Sequence, residues 1–153
     1  MEEKSPLDQL EEEFAELPEK PVEELEGPEQ GITLYEHIES LGGPSKAQID
    51  SLKKELQTEL FVLPIDEQNI FIYRPINRGE WMRLKNVFQQ AGDNISVDAQ
   101  KEKVVDQVLI WPRLDATQLP RMQAGTIDTL HEAVMYASHF LPSTVIINLV
   151  EKL

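Results

Sequence analysis

Apolar residues recur along this chain at helical spacing, then at strand spacing, then again at helical spacing. Leu7, Leu10, Phe14 and Leu17 mark one helical face between Pro6 and Leu17, and Pro18 and Pro21 would end that helix because the residue before a proline disfavours helical geometry. Leu34, Ile38 and Leu41 form the next face, opened by a Thr33/Glu36 capping box and stopped by Gly42, a residue free to turn left-handed. Pro44 and Ser45 open another helix, in which Ser45 and Gln48 complete a box and Ile49, Leu52 and Leu56 make the stripe, with an end expected near Thr58. The period then shortens. Leu60 to Leu63 and Asn69 to Arg74 are short runs rich in β-branched and aromatic residues, joined by Pro64-Ile65-Asp66-Glu67-Gln68, and this predicts a β-hairpin. Two strands are marginal alone, so helices are expected to cover one face.

The sharpest local signal follows. In Tyr73-Arg74-Pro75-Ile76-Asn77-Arg78-Gly79-Glu80-Trp81, Pro75 ends the strand because it has no N–H for a ladder. Asn77 caps a helix, Glu80 stands at the third position of a capping box, and Ile76 and Trp81 occupy the two positions of a hydrophobic staple. Trp81, Leu84 and Phe88 continue the stripe to about Gln90. A helix capped by Ser96 carries Val104, Val105, Val108 and Leu109 and is closed by Trp111-Pro112. Residues 113–125 read as irregular. Thr126 starts a helix with Ile127, Leu130, Val134 and Ala137 at core spacing and Phe140 at its end. Pro142 breaks it, and Ser143 is expected to cap a last helix bearing Val145, Ile146, Leu149 and Val150. The expected fold is α+β and mainly helical: a central β-hairpin packed against four or five short helices, with residues 31–153 as one domain.

Composition sharpens the picture at the N-terminus. The chain of 153 residues has a net charge of −14. Residues 1–30 hold 12 acidic and 2 basic side chains, a net of −10, which leaves −4 for the rest. This stretch also holds Pro6, Pro18, Pro21 and Pro28, and it reads as an extended acidic arm, either an inert solvating tail or a segment that docks through Leu7, Leu10, Phe14 and Leu17 on a partner. Neither part carries the basic footprint that nucleic acid requires, and an anionic membrane would repel the arm. There is no secretory leader and no apolar run near the ~20 residues of a membrane span, so a soluble protein of the cytoplasm is expected. Cysteine is absent, which removes disulfides, thiolate catalysis and cysteine-based metal sites.

Candidate chemistry is sparse. His131-Glu132 begins like the zinc motif His-Glu-x-x-His, but its fifth position is Met135, so the second ligand is missing. His131, Met135 and His139 fall at four-residue steps, which places them on one helix face with no third ligand specified. No phosphate loop or nucleophile elbow is present. No enzyme, cofactor or metal is therefore expected. Arg74 and Arg78 flank the corner with Glu80, either as ion pairs that hold it or as plain surface charges. Trp81 and Trp111 read as core anchors, with partner contact as the alternative.

Pro44 to Ile49 followed by Phe71 to Trp81 resembles small tail proteins of tailed bacteriophages, the tail-assembly chaperones and baseplate-hub assembly proteins. The shared pattern is an aromatic residue, Arg-Pro, an aliphatic residue, x-Arg-x-Glu and an aromatic residue, met here by Tyr73, Arg74, Pro75, Ile76, Arg78, Glu80 and Trp81. Val108-Leu109-Ile110-Trp111-Pro112, Ala124-Gly125-Thr126-Ile127 with Leu130, and Ser138 with Phe140 are similar to the family's C-terminal half. The resemblance covers about residues 44–140. It implies a non-enzymatic tail or baseplate assembly or structural protein, working in the host cytoplasm during assembly or as part of the virion tail or baseplate. It also implies contacts with hub, tube or tape-measure proteins in a hetero-oligomer, and no catalytic residue. The alternative from the residues is an acidic regulatory module that occupies a basic partner surface.

Overall fold

A computed structural model describes residues 32–153, of which Leu34–Leu153 form one compact unit. Its order is α1 (Leu34–Ser40), α2 (Lys46–Leu56), β1 (Phe61–Pro64), β2 (Ile70–Tyr73), α3 (Arg78–Ala91), α4 (Val97–Val108), β3 (Leu109–Trp111), α5 (Thr126–Ala137) and α6 (Ser143–Leu149). Short 3-10 turns lie at Gly92–Asn94 and Leu119–Arg121. The domain is α+β and mainly helical.

The caps that bound several helices are made by side chains. Ser45 accepts from the Gln48 N–H while the Gln48 side chain accepts from the Ser45 N–H, and Gln57 in left-handed geometry closes α2. Ser96 accepts from the Ala99 N–H at the start of α4. Each cap satisfies a backbone donor that the first helical turn leaves unpaired.

The hairpin is present, and a third strand joins it. β1 and β2 pair antiparallel with Phe61 opposite Tyr73 and Leu63 opposite Phe71; β3 pairs antiparallel with the other edge of β2. Leu109, read from sequence as helical, instead takes extended geometry at the end of α4. The physical reason is that β2 has a free edge after the hairpin forms, and pairing satisfies its backbone groups. The register slips between Ile72 and Tyr73, because Ile72 faces Trp111 and Tyr73 faces Leu109. Ile110 is thus the extra residue of a bulge. A bulge breaks the alternation of faces, and both Ile110 and Trp111 pack on the same side. The Trp111–Pro112 peptide is cis.

Helices cover both faces of the sheet, not one. On one side Phe71 and Tyr73 join Ile76, Val104, Val108, Leu130 and Val134 in the larger core. On the other, Ile70 and Ile72 pack with Ile38 of α1 and Ile49 of α2. All four residues of β2 are buried, which is why its sequence is an unbroken apolar run and does not alternate.

Four apolar faces read from sequence are less covered than expected. Leu34 and Leu41 of the first stripe are exposed around a buried Ile38, and Leu56 is exposed at the end of α2. Phe140 is also exposed, although its ring meets Trp81 edge-on at 5.0 Å between centroids. The fourth is α6, which has no buried residue. Pro142, not Ser143, is its cap position, with no side-chain hydrogen bond there.

Candidate functional site

The corner between β2 and α3 concentrates the buried charge of the described residues. Asn77 accepts from the Glu80 N–H at 2.9 Å, and the Asn77 N–H donates to Glu80 Oε1 at 3.4 Å. The same carboxylate receives a two-pronged contact from Arg74, with Nη1 to Oε1 and Nη2 to Oε2 both at 2.7 Å. Gln107 of α4 donates to Oε2 at 2.6 Å, and Arg74 also reaches the Gln107 carbonyl at 3.1 Å. The Glu80 side chain is 8 % exposed, so the charge is stable there only because every oxygen is occupied. The Arg74 hydrogen bond is the largest cause holding the Glu80 pKa at about 2, against the burial that pushes it up. Arg74 is raised in turn, first by its bond to Glu80.

Ile76 is buried beside this node, and its N–H donates to Ser138 Oγ at 2.9 Å while Ser138 donates to the Val134 carbonyl at 2.7 Å. The corner is therefore tied to α4 by Gln107 and to the end of α5 by Ser138. Of the two arginines, Arg74 is the ion-pair partner. Arg78 is exposed and makes no ion pair among the described residues. Pro75 is half-buried and Trp81 packs against the larger core. This arrangement fixes a turn.

The histidines do not converge. His131 is half-buried and its pKa is lowered, first by burial and then by Lys101. His139 lies beyond the end of α5 at a φ of 69°, which turns it off the face that carries His131 and Met135. Among the described residues no group of three His, Cys, Asp or Glu side chains is placed to hold a metal.

What the surface does offer is apolar concavity. Between α3, α4 and α5 lies a groove of ≈ 340 Å³ lined by Trp81, Phe88, Val97, Val104 and Met135, with Lys85, Lys101 and His131 among its other lining residues. No acidic residue lines it. Val97 at its lip is 65 % exposed. Lys101 reaches Asp128 at 3.0 Å in an exposed pair. A second groove lies between β1, β2 and α5. Leu7, Leu10, Phe14 and Leu17, the partner-binding candidates of the acidic arm, lie outside the described residues.

Sequence reading did not single out Gln107 or the α3–α4–α5 groove, and it met Ser138 only within the family resemblance, without this role. Gln107 looks like any polar residue on a helix, and only the packing of α4 on the corner shows its role. Ser138 carried a weak signal, since a serine one residue past a helix often bonds back to it. No protein-family model, no curated protein and no solved structure matches the chain. Among the described residues no helix is long and apolar enough to cross a membrane.

Proposed function

We propose that this chain is a non-enzymatic assembly or structural protein of a bacteriophage tail or baseplate. On this reading it acts by docking hub, tube or tape-measure proteins in a hetero-oligomer in the host cytoplasm. The observation that carries the reading is the α3–α4–α5 groove, apolar in its floor and cationic at its edge in a chain of net charge −14. Such a surface suits an amphipathic segment whose polar side is acidic, which contributes apolar burial and complementary charge together. The resemblance of residues 44–140 to tail-assembly and baseplate-hub proteins supplies the setting.

The test is co-purification of the full chain with tail or baseplate proteins from phage-producing cells. Val97→Asp and Lys85→Glu both sit on the exposed edge of the groove, and each is expected to reduce that recovery several-fold with the fold intact. Recovery of the chain free of every tail component overturns the tail setting. Undiminished recovery with both variants overturns the groove.

The net charge of −10 in residues 1–30 supports a second reading, an acidic module that occupies a basic partner surface. It calls for binding that resides in residues 1–30 and weakens steeply with salt. Deleting those residues, and separately replacing Leu7, Leu10, Phe14 and Leu17 with Ser, distinguishes charge from the apolar stripe.

A further inference from the structure

Helix α6 carries no charged residue and buries no side chain. Between Glu132 and Glu151 there is no Asp, Glu, Lys or Arg, in a chain where such residues are 27 % of the total. Within this stretch, α6 leaves Ile147 72 %, Leu149 64 % and Val150, just after it, 71 % exposed. A helix of seven residues with no side-chain cap and no buried side chain has little stability of its own in water. Its apolar surface is the feature that a contact would stabilise.

The matching concavity is on the same molecule. The groove between β1, β2 and α5 has a volume of ≈ 660 Å³ and is lined by Phe61, Leu63, Tyr73, Tyr136 and Leu141 among others. Phe61 and Tyr73 stack in it at 5.9 Å. Glu132 is its only acidic lining residue and it has no Lys or Arg. Leu141 lines this groove two residues before α6 begins, so groove and helix are contiguous. A surface holding a projection and its complement side by side is suited to a two-fold contact, in which each copy gives the helix and receives the other. Charge favours the same pairing. Two chains of net charge −14 repel each other, and this face places only Glu132 among fixed charges in the groove.

We infer that α6 and the groove beside β1 form a homotypic interface, in which α6 of each copy lies in the groove of a second copy of this chain. The inference does not rest on the tail reading, because it uses a different groove and different residues. The test is sedimentation velocity of the full chain over a concentration series. The wild-type chain is expected to show a reversible dimer. Ile147→Glu on the helix and Tyr136→Glu in the groove, both at exposed positions, are each expected to raise the dimer Kd by about tenfold or more, with an unchanged circular dichroism spectrum. Mixing Ile147→Lys with Tyr136→Glu is expected to recover a dimer, because one of the two reciprocal contacts then pairs opposite charges and the other is wild type. A monomeric wild-type chain overturns the inference and gives the face to another occupant. A dimer indifferent to both substitutions, or a mixture that stays monomeric, overturns it as well.

Discussion

At Glu80 one carboxylate meets an arginine fork, a glutamine amide and the backbone N–H of its own cap residue. Breaking such a buried pair leaves an uncompensated arginine, so Glu80→Ala is expected to cost about 3 kcal/mol or more. Asn77→Ala removes only a cap and is expected to cost ~1 kcal/mol. Both act on one box, so the double variant should show coupling, and chemical denaturation of the four species measures it. Equal, small losses for the two single variants would contradict the central place of Glu80. The pH dependence has a definite sign. The carboxyl is lowered from 4.5 to about 2, so its stabilisation is complete above 4.5 and is lost as pH falls through about 2. The gap in stability between wild type and Glu80→Gln is therefore expected to narrow across that interval. A gap that stays constant on acidification would show that the charge contributes nothing.

Elements meet at a few points where a single atom decides the fit. A Cβ on Gly43 would stand 2.6 Å from Ile38 Cγ2 and 2.9 Å from two ring atoms of Trp111. The link between α1 and α2 therefore presses directly on the bulged strand, and Gly43→Ala is expected to cost about 1–3 kcal/mol through displaced packing. A thermal midpoint equal to wild type would mean the contact relaxes freely. At the other end of the sheet, Ser138 joins the α3 corner to α5. Ser138→Ala leaves the Ile76 N–H buried without its partner, at a cost of about 1–3 kcal/mol. Faster amide exchange at Ile76 is the specific sign of that loss, and unchanged exchange would count against the link.

In Leu34–Leu153 as a whole, the sheet separates two cores that share no buried residue. Ile49→Ala in one and Leu130→Ala in the other are each expected to cost about 2–5 kcal/mol, as large-to-small changes at buried sites do. Their effects should add to within about 0.5 kcal/mol, whereas Val104→Ala and Leu130→Ala, within one cluster, should not. Denaturant unfolding of the single and double variants provides the comparison. Coupling across the sheet as strong as coupling within a cluster would show that the two sides behave as one core.

Helix starts were legible because capping is local: Ser45, Asn77 and Ser96 each sit within three residues of the N–H they accept. The hairpin was legible for a similar reason, as two apolar runs separated by a short polar turn. β3 was not, because Leu109 continues the apolar face of α4 and becomes a strand only where the free edge of β2 receives it. The second helical layer on the sheet was also hidden, since an apolar run such as Ile70 to Tyr73 tells that it is buried but not by what. At the corner, Asn77 and Glu80 could be read from spacing alone. Gln107 and Ser138 could not, because they lie 27 residues from Glu80 and 62 from Ile76. The exposed face of α6 is the converse case, in which a helical stripe with good core spacing has no buried residue among the described residues. Periodicity follows from local backbone geometry and can be read along the chain. The choice of which faces meet depends on contacts between distant residues, and that belongs to the tertiary structure.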